Sequence, residues 1–198
     1  MSQDYASLLV DAGEYSGRSD IAQHFDRFLR FAEAKLNRAL RLGEMEVQAD
    51  LALTNGDGTL PDNFLEVREV LIAPNRSLRS IALSTLSARY GTGGGQPLGY
   101  AIVGNTLSAR PKWSGNLSLV YYGAIPPLTR ENPTNWLLTK APDVYLYSVV
   151  EEVAIWERAP DKVAAAQGMR VQAMAGLSQL DWRQRWGNSR ISIGGPTP

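Results

Sequence analysis

Asn132-Pro133-Thr134-Asn135-Trp136-Leu137-Leu138, followed by Ala141-Pro142-Asp143-Val144-Tyr145-Leu146-Tyr147, is the stretch that decides how this chain folds. Proline biases the residue before it away from helical angles, and Thr or Asn can cap the next helix, so the segment arriving at Pro133 stops there. Pro142 marks a second stop. A proline suits the first turn of a helix, where its missing N–H costs nothing, and Asp143 beside it favours the positive end of the helix dipole. A helix is therefore predicted over Asp143 to Arg158, with Leu146, Val149, Val150, Val153 and Trp156 inward.

Outward from this point the period of the apolar residues changes twice. Upstream, Ser19 or Asp20 is placed to cap a helix in which Ile21, Phe25, Phe28, Ala32, Leu36 and Leu40 recur at three- and four-residue steps, with an Asp26/Arg30 pair on its wet side and Gly43 at its end. A shorter helix around Ala6 to Val10 precedes it. After Gly43 the period is two: Met45, Val47, Ala49, Leu51 and Leu53 alternate with Glu46, Gln48, Asp50, Ala52 and Thr54, as in a strand with one buried face. Asn55-Gly56-Asp57-Gly58 supplies a hairpin turn. Further strands are expected at 65–72, 100–103, 106–109 and 117–122, forming a small antiparallel sheet, with a short helix at 82–89 and a mobile glycine loop at 91–95. Past Pro160, Val163, Ala166, Met169 or Arg170, Ala173, Leu177 and Leu180 recur at near-heptad spacing, Gly187 ends the helix, and residues 194–198 have no regular pattern. The expected class is α+β: a helical bundle core with an inserted small antiparallel β subdomain and an extended C-terminal tail. Its divisions are residues 1–43 (N-terminal core helices), 44–123 (β subdomain), 124–186 (C-terminal core helices) and 187–198 (tail).

Composition narrows the function. The 44% hydrophobic and 20% charged content of these 198 residues is that of a folded globule. Twenty basic residues cancel twenty acidic ones, so no global field draws the chain to nucleic acid or to an anionic membrane. Without cysteine there is no disulfide framework or thiolate nucleophile, and one histidine cannot build a multi-histidine zinc site. The first residues lack the layout of a signal peptide and no apolar run approaches a membrane span, so a protein made and kept in solution is expected, with no cofactor.

The chemical candidates are weak. Glu46 and Asp50 share a strand face about 13 Å apart, beyond the about 5 to 9.5 Å of a glycosidase pair. Glu151 and Glu152 are neighbours on a helix and diverge by about 100°. His24 reads as a surface histidine without a relay partner. Gly91 to Gly95 lacks the Lys-Ser/Thr ending of a phosphate loop, and the sequons at Asn75 and Asn116 are chance matches in a chain without a signal peptide.

The chain end is different. Trp182, Arg183, Arg185, Trp186, Arg190, Ile191 and Ile193 come without an acidic residue, and Trp, Arg and Ile are residue types that anchor interfaces. This segment is expected to dock a partner, with Ile191 to Ile193 adding a strand to a sheet edge.

Thr134-Asn135-Trp136-Leu137-Leu138 before Pro142-Asp143-Val144-Tyr145-Leu146-Tyr147, together with Leu60-Pro61-Asp62-Asn63-Phe64-Leu65-Glu66-Val67-Arg68 and Tyr121-Tyr122-Gly123, resembles the head-to-tail adaptor (connector, head-completion) proteins of short-tailed phages and prophages. The likeness runs from roughly Phe31 to Trp156, as several short motifs in one order, and departs at the ends. It implies a virion protein of the neck, made in the host cytoplasm, with no catalytic centre. Its copies would form a twelve-fold ring between the portal and the tail nozzle or hub, through which DNA passes without specific binding. Thr134, Asn135, Trp136, Pro142, Asp143, Tyr145 and Tyr147 are expected in the core or at subunit contacts. Rival expectations are a stopper or other tail-completion protein of the same neck, a virion-associated cell-wall hydrolase, and a bacterial scaffold with no virion link.

Overall fold

A computed structural model describes residues 3–73, 76–91 and 93–187. They form an α+β fold in two compact units, one gathering the chain up to Glu44 and from Ile125 onward, the other comprising Met45–Ala124.

The first unit is helical. Helix α1 (Tyr5–Ser16) is longer than its apolar residues suggest, because Asp4 and Ser7 form a reciprocal capping box at its start and Gly17 closes it in left-handed geometry. A 3-10 turn (Asp20–Gln23) then precedes helix α2 (Phe25–Ala39). The long helix thus begins later than expected: the Ser19 side chain makes no cap bond, and the Asp20 carboxylate is taken by Arg18. It also ends before Gly43. Leu40 turns to extended angles so that Leu40 and Leu42 both enter the core, and the Gly43 N–H is held by the Asp181 carboxylate at 2.7 Å. Beyond Ile125 come α4 (Trp136–Lys140), α5 (Pro142–Trp156), with Pro142 in its first turn, and α6 (Pro160–Trp186). The core of this unit includes Leu8, Phe25, Phe28, Leu36, Val144 and Val149, each at most 2% exposed.

The second unit holds strands β1 (Glu46–Leu53), β2 (Asp57–Thr59), β3 (Phe64–Ile72), β4 (Arg76–Ser77), β5 (Arg79–Ser80), β6 (Gly99–Val103), β7 (Thr106–Arg110) and β8 (Gly115–Gly123), with helix α3 (Leu83–Tyr90) before β6. The strands divide between two four-stranded sheets, β1-β8-β3-β4 and β2-β7-β6-β5, where the sequence suggests one. The division starts at the first hairpin. Asn55 and Gly56 have φ of 55° and 88°, a primed turn that matches strand twist, but β1 and β2 keep only the Thr54–Asp57 bridge before β2 leaves to pair with β7. Between the strands of the described residues pairing is antiparallel except for β5 with β6, which is parallel. Leu51, Val70, Leu117 and Leu119 of one sheet share a buried cluster with Leu107 and Ala109 of the other. In the glycine loop, Gly93 and Gly95 bond to Lys112 through their backbones.

Gly56 illustrates how tightly the hairpin is set: a Cβ there would lie 2.6 Å from the Ala109 carbonyl oxygen, in a left-handed backbone that side chains disfavour. Gly56→Ala is expected to lower unfolding free energy by about 1–3 kcal/mol, read as a lower urea midpoint at unchanged slope.

Candidate assembly interface

Two of the motif residues, Asn135 and Tyr145, lie inside the helical unit. Asn135 caps α4, its Oδ1 accepting the Leu138 N–H at 2.9 Å while its amide donates to the Pro126 carbonyl and to the Tyr145 hydroxyl, both at 2.7 Å. Tyr145, fully buried on α5, donates in turn to Glu33 of α2 at 3.1 Å, and the same Glu33 oxygen accepts the Leu128 N–H at 2.8 Å. Burial pushes the Glu33 carboxyl up, with the bonds from Leu128 and Tyr145 opposing it. Burial also drives the Tyr145 hydroxyl far up, assisted by the nearby Glu33 charge. Among the other motif residues, Trp136 and Tyr147 are half-buried, Tyr147 lying edge-on to Tyr15 at 6.2 Å, while Thr134 is exposed and Asp143 binds the Val144 N–H.

Glu151 and Glu152, adjacent on α5, do converge. Lys35 Nζ lies 2.8 Å from Glu151 and 2.5 Å from Glu152, because two flexible side chains can reach one ammonium despite the angle between their Cβ directions. Arg170 of α6 takes the other Glu151 oxygen at 2.6 Å. Both carboxylates are buried. Burial pushes Glu151 up, but Lys35 and Arg170 outweigh it and hold the group below its ordinary value. Lys35 is pulled down by burial and raised further by its two carboxylates, for a net rise. This is a locked ion-pair cluster, the reverse of a general acid, whose pKa must be raised and whose proton must reach a substrate. His24, read as a surface histidine, is half-buried and packs edge-on to Phe28 and Trp156. Glu46 pairs with Arg68, and Asp50 is exposed. Among the described residues, no three His, Cys, Asp or Glu side chains are grouped to hold a metal, and no helix is long and apolar enough to cross a membrane.

Helix α6 is the feature without an internal explanation. Of its 27 residues only Ala166, Leu177 and Asp181 are buried. Met169, Val171, Leu180, Trp182 and Trp186 are between 47% and 63% exposed, too many large apolar groups on one helix to be scattered surface residues. Arg170 is the side chain that turns inward, and Met169 and Leu180 turn out. Ala164, Gly168, Val171, Ala175, Ser178 and Trp182 succeed one another at steps of four and three, all exposed and all uncharged. A Cβ at Gly168 or Gly176 would meet nothing, so neither glycine is required by packing inside the subunit. Beside this face a groove of about 590 Å³ runs along α5 and α6, lined by Asp143, Tyr147, Met169, Ala173, Gly176 and Leu180.

Of the expected docking residues, Trp182, Arg183 and Trp186 stand exposed on the last turns of α6. Arg185 does not join them: its Nε lies 3.0 Å from Asp181 one turn earlier. Arg190, Ile191 and Ile193 lie outside the described residues.

Asn135 and Tyr145 are thus spent on internal bracing, while several large apolar side chains of α6 face outward. The model of the SU10 adaptor protein family matches residues 3–193, nearly the whole chain, and the chain belongs to that family. It is a phage adaptor protein, as the resemblance implies. No curated protein matches the chain.

Removing one hydroxyl tests the buried bracing. Tyr145→Phe leaves Glu33 and Asn135 each short of a partner and is expected to cost about 1–3 kcal/mol in a denaturant titration. The Glu151 cluster has a pH signature. Its folded pKa is depressed, so its stabilisation is full above the ordinary value of 4.5 and is lost as pH falls through the folded value. Glu151→Gln should therefore be less stable than the parent at neutral pH, and the gap should narrow in thermal melts taken at successively lower pH below 4.5.

Proposed function

We propose that this chain is a head-to-tail adaptor whose copies close into a ring below the portal, extending the DNA channel and offering the tail a platform. The observation that carries this reading is α6. A soluble single subunit gains nothing from an exposed, uncharged face with bare glycines, whereas a permanent interface needs such a face for close approach. From Ala164 to Trp182 the helix presents about 27 Å of it. Heterologous contacts of this kind, repeated by rotation, generate a ring when they close, and a permanent one typically buries more than about 2,000 Å² per interface. Twelve copies would match the symmetry of a portal.

Docking onto the portal is assigned to the end of the chain. The alternation Ile191-Ser192-Ile193 suits strand addition to a sheet edge, Arg190 suits an acid of the partner, and Trp186 extends the same end of α6. The opposite side of the ring would meet a tail nozzle or hub protein. Balanced charge supports sliding passage of DNA over tight binding. The locked Glu151 and Glu152 cluster supports a structural role without catalysis.

Light scattering on the chain, alone and with purified portal, tests the reading. The expected result is a ring-sized particle in the presence of portal. Gly168→Arg should reduce that particle to free subunits without lowering the unfolding free energy by more than about 1 kcal/mol, since no neighbour in the subunit is displaced. Deleting residues 187–198 should remove portal binding and leave the fold intact. Wild-type assembly by Gly168→Arg would take α6 out of the mechanism.

A further inference from the structure

A second surface of the helical unit is shaped to receive the end of α6. Along α1 and the 3-10 turn lies a groove of about 510 Å³ bounded by Leu9, Val10, Gly13, Glu14, Arg18 and Ile21, with Val10 58% exposed at its edge. Helix α1 carries Asp11 and Glu14 and no basic residue. Glu14 is exposed, and among the described residues no side chain pairs with it. Arg18, the cation in the groove, is engaged by Asp20 and Glu157 and stacks on Trp156, so it does not neutralise Glu14.

The end of α6 has the complementary character. Between Val171 and Trp186 the charged residues are Asp181, Arg183 and Arg185; Asp181 and Arg185 pair with each other, which leaves the positive charge of Arg183. Arg183 is exposed and has no side-chain partner among the described residues, and Trp182 beside it is 63% exposed. Consecutive helical residues point about 100° apart, so an indole can enter a groove while the neighbouring guanidinium reaches its rim.

The two surfaces cannot meet within one copy. Arg18 lies 3.7 Å from Glu157, and Glu157 lies 2.9 Å from Lys162, which places the C-terminal end of α1 near the first turn of α6. Trp182 is twenty residues further along that helix, about 30 Å away. We propose that Trp182 of one copy enters the α1 groove of a second copy, with Arg183 of the first paired to Glu14 of the second. The two patches differ and lie at opposite ends of the unit, so each copy offers one of each. Such a contact is head-to-tail and propagates by rotation. It deepens the ring reading and rests on it, naming the segments that would form the lateral contact and leaving Trp186 and the residues beyond Gly187 for the portal.

Charge exchange provides the test, using the full chain with portal and reading ring mass by sedimentation. Arg183→Glu and Glu14→Arg should each weaken subunit association by about tenfold or more, because each sets like charges against each other. The double variant restores opposite charges and should return to within about threefold of the parent. Both positions are exposed, and unchanged circular dichroism melts would separate lost assembly from lost folding. A parent that forms rings with portal while neither single variant weakens them, or while the double variant is no better than the worse single one, overturns this contact and leaves the ring reading standing. A parent that never associates with itself overturns both.

Discussion

One buried carboxylate organises the helical unit. Glu33 sits on α2, before the β unit is inserted, and its bonds go to Leu128 and Tyr145, after it. Eighty residues, Met45–Ala124, separate the two halves of this unit in the chain, so the unit forms only when distant segments meet. Apolar contact supplies the drive, but it has no direction. A carboxylate that must have its bonds satisfied does have one, because leaving it unpaired in a low-dielectric interior is costly. Asn37 adds a parallel stitch by accepting the Ile125 N–H at 2.9 Å, and Asn135 relays the network into the cap of α4. Asn135 and Tyr145 thus serve the register of the fold, a structural use for two of the residues that carry the family resemblance.

The second cluster, Lys35 with Glu151, Glu152 and Arg170, is one polar anchor of α6 to this frame, and the Asp181 bond to the Gly43 N–H is another. Most helical stability in proteins comes from burying one face, and α6 buries a narrow one, centred on Ala166, Leu177 and the Asp181–Arg185 pair. Its balance of small, apolar and aromatic exposed residues makes sense when the missing surface is supplied by other molecules. In the ring proposed above, neighbouring copies would cover this face, which would connect the packing of one helix to the role of an adaptor.

Much of this was readable in the chain. Local signals were reliable where one physical rule dominated: Pro142 at the head of α5, the two-residue period of β1 and the primed turn at Asn55-Gly56. Boundaries failed where tertiary contacts overrode local preference, as when Leu40 and Leu42 left the helix for the core. The partition of strands into two sheets depends on β2 choosing β7 over β1, a long-range pairing that periodicity cannot report. The convergence of Glu151 and Glu152 was hidden because helical angles describe Cβ directions, whereas long side chains bend toward a cation. Near-heptad spacing in α6 identified the inward stripe only in part; the uncharged stripe from Ala164 to Trp182 was present in the same residues and marks the outward one.

The central claim is that the exposed face of α6 is covered by protein once the particle is built. Hydroxyl-radical footprinting reads this directly, since Met169, Trp182 and Trp186 are reactive side chains about half or more exposed in the free subunit. Their oxidation rates should fall several-fold in the assembled neck relative to the free chain, while an exposed control on α2 such as Phe31, 53% open, changes less. Equal rates at all three positions in the free and assembled states would contradict the account.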